Sequence, residues 1–190
     1  MSTVIGLTGP TGAGKSSLSA VAERLGFFYV DCDAVARRES RNPQMLSSLA
    51  LCFGDDVVKG GVLDRAVLAK RAFSSPESTE KLNEITLPFI VAAITEMIKD
   101  ETLVLLDAPT LFESGLDSRC DAVICVLAEK SIRKERILSR DGVTEDAADA
   151  RLSAAKTDEF FISRCDEVIY NNKGEDEFIK KAEEVLQKYI

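Results

Sequence analysis

The fold is decided by the stretch Thr3-Val4-Ile5-Gly6-Leu7-Thr8-Gly9-Pro10-Thr11-Gly12-Ala13-Gly14-Lys15-Ser16. Its first part, residues 3–8, is an apolar run of strand length, and its second part follows the pattern G-x-x-x-x-G-K-S. Apolar residues then recur at helical spacing, which predicts a helix over about residues 14–25 that ends at Gly26. A strand, this loop and a helix in succession are typical of a phosphate-binding loop, the P-loop.

The loop predicts a site for the phosphates of a nucleotide. Its glycines allow the backbone to curl until N–H groups point at phosphate oxygens, and the N-terminus of the following helix favours the same anion. Lys15 is placed to reach the β- and γ-phosphates, and the Ser16 hydroxyl to ligate Mg²⁺. The residues expected to bind the nucleotide here are Gly12, Ala13, Gly14, Lys15, Ser16 and Ser17. The alternative is a glycine-rich turn that binds nothing.

Composition narrows the class of protein. The chain has 190 residues, enough for one domain with its own core, and a formal net charge of −8. That acidity argues against a protein that binds nucleic acid by neutralising phosphates, although it allows a local positive pocket for a nucleotide. We find neither a signal-like segment nor an apolar run of membrane-spanning length, so we expect a cytoplasmic protein with no membrane partner.

The chain contains no histidine, and this absence limits its chemistry. Ser-His and Cys-His catalysis are excluded, so a carboxylate must serve as the general base. The five cysteines form no C-x-x-C pair, which argues against a zinc site. We expect them to be buried, reduced thiols.

The remaining patterns indicate an α/β fold. Apolar and β-branched runs predict further strands over residues 27–33, 102–107, 121–126 and 167–170, and helical patterns separate them. Strand–helix–strand order predicts parallel pairing. We therefore predict a P-loop NTPase fold, with three α/β/α layers around a five-stranded parallel sheet.

The helical stretches are unevenly distributed along this single domain. We predict a core over residues 1–33, 101–128 and 164–190, a helical insertion over 34–100 that binds the acceptor, and a lid over 129–163. An insertion of this length exceeds an ordinary crossover connection, which is why we assign it to the acceptor. Within it, Ser75-Pro76 predicts a helix start, and Pro88 predicts that a helix starts or kinks there.

Three aspartates are candidates for catalysis and metal binding. Asp31 and Asp33 lie two apart on the predicted second strand and would face the same side, and Asp107 ends the apolar run 102–106 as a Walker B acid does. Because ligands bind beyond the carboxyl ends of parallel strands, we expect all three near the P-loop. One would accept the proton of the acceptor hydroxyl and the others would hold Mg²⁺. The alternative for each is a carboxylate that solvates a turn.

Two polar segments follow in the second half of the chain. Arg133, Arg136 and Arg140 recur at i, i+3 and i+7, which predicts a basic stripe on a lid helix that stabilises charge on a transferred phosphoryl group. A solvated helix face is the alternative. Asn171-Asn172 follows the last predicted strand, and we expect a loop near the adenine, with a plain turn as the other interpretation.

Assembled, these residues resemble dephospho-CoA kinase, of the P-loop nucleoside-monophosphate-kinase-like group, over essentially the whole chain. The motifs that carry the resemblance are Gly9–Ser16, Asp31-x-Asp33-x-x-x-Arg37, Gly61–Arg65, Leu82-Asn83, Asp107-x-Pro109-x-Leu111-x-Glu113, Arg136 and Arg140 before Asp141, and Asp166–Ile169 before Asn171-Asn172. The most specific of these motifs are the one from Asp31 to Arg37 and the one from Asp107 to Glu113.

The resemblance implies ATP- and Mg²⁺-dependent phosphorylation of the ribose 3′-hydroxyl of dephospho-CoA. It implies that Asp33 is the base and Arg140 the lid arginine, with Lys15 as the third catalytic residue. Nucleotide contacts would include Arg136 and Asn172, and metal contacts Ser16 and Asp107. The acceptor contacts that it implies are Asp31, Asp33, Arg37, Arg65, Asn83, Pro109 and Glu113. We expect a monomer or weak homo-oligomer.

The sequence departs from the family pattern at three positions. Leu87 stands where the family usually has histidine before Pro88, and Ala155 and Phe161 stand near a usual glutamine and lysine. Two other functions therefore stay open. One is a P-loop kinase with another small-molecule or nucleoside-monophosphate acceptor, and the other is a nucleotide-binding switch without transferase activity. The absence of a D-x-x-G motif after any strand argues against the switch.

Overall fold

The computed structural model describes residues 2–190, which form two compact units. One unit runs up to Val30 and from Glu101 to Ile190, and the other is Asp31–Asp100. The strands are β1 (Thr3–Thr8), β2 (Phe28–Asp31), β3 (Val58–Lys59), β4 (Val62–Leu63), β5 (Leu103–Asp107), β6 (Ala122–Leu127) and β7 (Glu167–Tyr170). The helices are α1 (Lys15–Arg24), α2 (Cys32–Glu39), α3 (Pro43–Phe53), α4 (Arg65–Ala72), α5 (Pro76–Ile98), α6 (Lys130–Asp141), α7 (Glu145–Ala154), α8 (Asp158–Ile162) and α9 (Glu175–Leu186).

The main sheet has five strands in the order β2-β5-β1-β6-β7. The first strand of the chain, β1, is central, and it pairs in parallel with β5 on one side and β6 on the other. The register places Leu7 opposite Asp107, and Thr8 opposite Cys125. The ends of β1 and β5 therefore coincide at the edge from which the P-loop leaves the sheet. The predicted five-stranded parallel α/β fold is confirmed.

Both faces of the sheet are covered. Ile5 and Leu7 of β1 alternate to one face, where they pack with Leu18 and Val21 of α1 and with the apolar side of α9. On the other face, Cys125 and Leu127 of β6 pack against the aromatic side chains of α8. Gly6 points to this second face, where an added Cβ would lie 2.7 Å from Leu111 Cδ2 and 2.9 Å from Cys120 Sγ, so these two side chains would have to shift to admit it.

The helical unit has its own core. Met45 and Leu49 of α3 and Leu68 of α4 are buried against partly buried residues of α5, among them Ile85 and Phe89. Polar side chains start its helices: Asn42, Asp64 and Ser75 each accept a hydrogen bond from a backbone N–H of the first turn that follows. The predicted helix start at Ser75-Pro76 agrees with α5, in which Pro76 is the first residue. Within residues 2–190, no helix is both long and apolar enough to cross a bilayer.

The second strand was predicted too long, and of the two outcomes predicted at Pro88 a helix start is excluded while a kink stays a prediction. The second strand was expected to reach residue 33, but it ends at Asp31, because the Asp31 carboxylate accepts a hydrogen bond from Ala34 N (2.8 Å) and starts α2. Asp33 therefore lies in the first turn of a helix and does not share a strand face with Asp31. No helix starts at Pro88, since α5 passes through it. The missing N–H leaves the Glu84 carbonyl without its helical partner, which is tolerated because both residues are exposed to water.

The expectation of buried cysteines also needs correction. All five thiols are free, and Cys32 and Cys125 are buried as expected. Cys120 and Cys165 are only partly buried, and Cys52 is exposed at the end of α3. The helical pattern around Cys52 does not by itself show which face of α3 packs inward.

Candidate active site

Three glycines give the P-loop its shape. Gly9, Gly12 and Gly14 have φ angles of 136°, 79° and 103°, all in the left-handed region that favours glycine. A Cβ on Gly9 would lie 2.3 Å from the Val126 carbonyl oxygen, and one on Gly14 would lie 2.2 Å from Asn171 Nδ2. Both the backbone conformation and the lack of space therefore require glycine in this loop.

Side chains from α6 and from the loop after β7 hold three consecutive carbonyl groups of the P-loop. Arg133 Nε donates to Thr11 O (3.1 Å), and Arg136 Nη1 donates to Gly12 O (3.3 Å) and Ala13 O (3.1 Å). Asn171 Nδ2 also donates to Ala13 O (2.9 Å). In a planar trans peptide the N–H points away from the C=O, so the Gly12 and Gly14 N–H groups face the other side of the loop. This orientation suits an anion that collects backbone N–H groups.

The two P-loop residues expected to contact phosphate and metal lie at the start of α1. Lys15 Nζ donates to Gly9 O (2.7 Å), so the ammonium lies across the loop. Ser16 is exposed and Ser17 is half-buried. The N-terminus of α1 adds the positive end of its dipole at the same place. An ammonium, a helix N-terminus and the inward N–H groups together can bind a polyphosphate.

Asp107 ends β5 beside the P-loop strand. Its Oδ2 accepts hydrogen bonds from the Tyr29 hydroxyl (3.1 Å) and from Ser19 Oγ (3.4 Å). These two hydroxyl groups fix the orientation of the carboxylate. Among the described residues, no group of three or more histidine, cysteine or acidic side chains is arranged around one point. A carboxylate oxygen is a ligand that Mg²⁺ accepts, and Mg²⁺ is usually held by one or two carboxylates together with the phosphates of a substrate.

The three arginines on one side of α6 have two kinds of partner. Arg133 is 6% exposed, and burial lowers the pKa of its guanidinium, which lies 3.9 Å from the Asp158 carboxylate. Arg133 and Arg136 both contact P-loop carbonyls, as described above. Arg140 lies one turn further on, is exposed, and donates from Nε to Asp141 Oδ1 (2.7 Å). The Arg140 hydrogen bond holds the pKa of Asp141 below its ordinary value.

In the helical unit, the structure brings three predicted acceptor residues to one corner. Arg37 Nη2 donates to Asp31 Oδ2 (3.4 Å), and Arg65 Nη2 donates to Ser40 Oγ (3.0 Å). Ser40 in turn donates to the Arg37 carbonyl (2.7 Å), which links the two arginines. Asp33 is exposed nearby in the first turn of α2. This corner offers two exposed guanidinium groups to an anionic ligand.

The other predicted residues occupy separate places. Asn83 is half-buried on α5, and its side chain forms no hydrogen bond within the part of the chain that the structure describes. Pro109 is exposed, and its carbonyl accepts from Thr8 Oγ1 (3.4 Å), while the exposed Glu113 lies 4.0 Å from Lys156 Nζ. Asn172 bonds Glu129 through its side-chain oxygen, which accepts from the Glu129 N–H (2.8 Å). Contact of these residues with a ligand stays a prediction.

Sequence reasoning missed the role of Asn171. The sequence predicts its neighbour Asn172 as a nucleotide contact, and that stays a prediction. The buried residue that forms a hydrogen bond with the P-loop is Asn171. The available signal was alternation: β7 buries Ile169, so the next residue on the same face is Asn171, and a buried amide needs hydrogen-bond partners.

Comparisons with known proteins show the family to which the chain is similar. The family model for dephospho-CoA kinase (CoaE) matches residues 3–177. A dephospho-CoA kinase of Fusobacterium nucleatum is 32% identical over 183 residues, which are 95% of each chain. One of Deinococcus radiodurans is 41% identical over 155 residues, covering 77% of this chain and 74% of the relative. The crystal structure of TT1252 from Thermus thermophilus superposes with a TM-score of 0.84 at 31% identity, covering 98% of this chain and 97% of that one.

Proposed function

Because the chain belongs to the dephospho-CoA kinase family, we propose that it transfers the γ-phosphoryl group of ATP to the ribose 3′-hydroxyl of dephospho-CoA, giving CoA and ADP. The family places the chain among the ATP-dependent kinases of coenzyme A biosynthesis. The observation that carries the proposal is the family match over residues 3–177, which includes both the P-loop and the helical unit.

The P-loop would bind the ATP phosphates. Gly12 and Gly14 offer backbone N–H groups, and Lys15 would move from the Gly9 carbonyl to the β- and γ-phosphates. Ser16 and Asp107 would hold Mg²⁺, which supplies charge neutralisation on the phosphate oxygens when bound. Arg140 would leave Asp141 to stabilise charge on the transferred group. Positioning and electrostatics of this kind supply most of the catalysis in phosphoryl transfer.

We assign the general base to Asp33, and its surroundings in the helical unit support that choice over Asp31. Both Asp31 oxygens are engaged, one with Ala34 N (2.8 Å) and one with Arg37 (3.4 Å). Asp33 is exposed and forms no ion pair with any of residues 2–190. Its carboxylate can therefore accept the proton of the acceptor hydroxyl as the oxygen attacks phosphorus.

The corner formed by Arg37 and Arg65 would bind the anionic part of the acceptor. Dephospho-CoA carries a diphosphate, and arginine forms paired hydrogen bonds with phosphate oxygens. Asn83, Pro109 and Glu113 are further candidates for acceptor contacts. Arginine pairs with carboxylates as well, so the two guanidinium groups favour an anionic acceptor, and the choice of dephospho-CoA among anionic acceptors rests on the family match.

Identification of the product tests the proposal. The protein is incubated with Mg-ATP and dephospho-CoA, and the product is analysed by mass spectrometry and ³¹P NMR. We expect CoA with a new 3′-phosphomonoester, and no product from the 3′-deoxy analogue of dephospho-CoA, which lacks the attacking oxygen. Phosphorylation of the 3′-deoxy analogue, or a phosphate at another position, would contradict the proposal.

A further inference from the structure

We propose that Asn171 is a positioning residue for ATP binding, which sets the orientation of P-loop peptides through its side-chain amide and through Arg136. The inference rests on the proposed function to the extent that it takes the P-loop as the ATP site. Asn171 touches no phosphate in this account, and it acts through the backbone of the loop.

Both polar atoms of the Asn171 side chain form hydrogen bonds. Its Nδ2 donates to Ala13 O (2.9 Å), and its Oδ1 accepts from Arg136 Nη2 (3.1 Å). The backbone contributes as well, since Asn171 O accepts from the same Nη2 (3.0 Å) and Asn171 N donates to Leu127 O (2.7 Å). The residue is only 6% exposed, so water does not replace these partners. The site therefore needs a donor and an acceptor on one planar group, which a carboxylate or an alkyl side chain does not provide.

The contact fixes the part of the loop that faces the phosphates. With the Ala13 carbonyl held by Asn171 and Arg136, the peptide between Ala13 and Gly14 has one orientation, and the Gly14 N–H points away from Asn171. The side chain also packs directly behind Gly14, where a Cβ would lie 2.2 Å from Nδ2. Loss of the amide would leave the Ala13 carbonyl with Arg136 as its side-chain partner, which would loosen this peptide and weaken the anion site.

The same contact joins three segments that are distant in sequence. Arg136 belongs to α6, Asn171 follows β7, and Ala13 lies in the P-loop, 158 residues from Asn171. Because Arg136 forms hydrogen bonds with Gly12, Ala13 and Asn171, the first two turns of α6 are held against the loop. Motion of Arg140 toward a nucleotide would therefore take place beyond Arg136.

The test uses Asn171→Asp and Asn171→Ala in the full chain. The first keeps the shape and the acceptor for Arg136 but cannot donate to Ala13 O, and it adds a negative charge beside the loop. The second removes both side-chain hydrogen bonds without adding charge. Gln187→Glu, at an exposed position of the last turn, is the control for an added negative charge.

We expect the affinity for the fluorescent nucleotide mant-ATP to fall about tenfold in both variants, since the Ala13 carbonyl loses the shorter of its two side-chain hydrogen bonds. The KM for ATP should rise in parallel, while the KM for dephospho-CoA stays within about twofold of wild type. Gln187→Glu should behave as wild type. Unchanged mant-ATP affinity in both variants would overturn the inference, and so would an equal rise in both KM values or loss of the folded state in both.

Mant-ATP binding separates this inference from the proposed function. Binding is measured without acceptor, so an effect of Asn171 on affinity is visible whichever acceptor the enzyme uses. Wild-type protein that binds mant-ATP but does not phosphorylate dephospho-CoA would count against the proposed function alone.

Discussion

The ammonium of Lys15 lies 2.7 Å from the carbonyl oxygen of Gly9, at the opposite end of the loop that these two residues enclose. The positive charge of the Lys15 ammonium therefore lies across the P-loop, next to the residue at which the loop begins. A bound polyphosphate would offer the Lys15 ammonium an anionic acceptor, and Coulomb attraction between opposite charges favours that contact over one with a neutral carbonyl.

Replacement of Lys15 by alanine should abolish most turnover and leave the fold intact. We expect kcat/KM to fall about 10²–10³-fold, the range seen when one group that stabilises transition-state charge is removed. Stability should change by about 1 kcal/mol, the usual scale of a hydrogen bond such as the one to Gly9 O. Steady-state kinetics and thermal unfolding check both points, with the exposed Lys181→Ala as control. Turnover near that of wild type would refute the assignment of the P-loop.

Asn in place of Asp33 should lower kcat more than it affects the KM for ATP. The variant keeps the size of the side chain but removes the base, and general-base catalysis contributes about 10²–10⁴-fold. Asp55→Asn is a matched control, because Asp55 is also an exposed aspartate in a first helical turn of the same unit. An effect confined to the KM for ATP would instead indicate that Asp33 contacts Mg-ATP and is not the base at the acceptor hydroxyl.

Arg65→Ala should weaken binding of the acceptor without affecting ATP. Loss of one hydrogen bond to a phosphate corresponds to about 1.5–3 kcal/mol, or a rise of about 10–100-fold in the KM for dephospho-CoA. Lys70→Ala, an exposed cation on the same helix, should show little change. If the two variants have the same acceptor KM, the corner of Arg37 and Arg65 does not bind dephospho-CoA.

Gly14→Ala and Gly174→Ala separate the need for glycine from the general effect of a methyl group. At Gly14 (φ 103°) an alanine costs about 1–2 kcal/mol for the left-handed backbone and also meets Asn171. At Gly174 (φ −53°) no atom lies within 4 Å of the added Cβ. We expect Gly14→Ala to lose mant-ATP binding and stability in urea unfolding, and Gly174→Ala to retain both. Equal behaviour of the two variants would show that the loop does not need its observed conformation.

Alkaline pH should destabilise the protein through Cys120. Burial, followed by the charges of Asp117 and Asp121, raises the pKa of this thiol from 9.0 to about 12. A thiol that stays protonated in the fold contributes stability that is complete below pH 9 and is lost as the pH rises toward 12. Between pH 9 and pH 11 we expect this contribution to fall by about 1–2 kcal/mol.

Urea unfolding of wild type and Cys120→Ala at both pH values measures that contribution. The difference in unfolding free energy between the two proteins should shrink as the pH rises, because the variant has no thiol to ionise. Lysines and tyrosines titrate alike in both proteins, so their effects cancel. A constant difference would show that the folded environment does not hold the thiol protonated.

Elements with a strong local pattern could be predicted from the sequence. The strands over residues 3–8 and 167–170 were predicted with the bounds of β1 and β7, because apolar and β-branched residues alternate with clear turn signals around them. The P-loop and the family resemblance were also predicted, and both rest on motifs that are contiguous in sequence. The second strand was predicted too long, because an aspartate that ends a strand and one that caps a helix leave the same local pattern.

Contacts between distant segments could not be predicted. Spacing placed Arg133, Arg136 and Arg140 on one helical stripe, but it did not show that the first two face P-loop carbonyls and the third an adjacent carboxylate. Asn171 and Ala13 are 158 residues apart, and only the order of strands in the sheet brings them together. These pairings depend on tertiary packing, which no local periodicity encodes.

The central claim is that dephospho-CoA is the acceptor, and ADP release measures it most directly. Wild-type protein with Mg-ATP is assayed alone and with dephospho-CoA, shikimate, gluconate, AMP or dTMP. We predict strong stimulation by dephospho-CoA alone, with one CoA formed for each ADP. Stimulation by another acceptor, or a slow ATPase rate that no acceptor changes, would contradict the account.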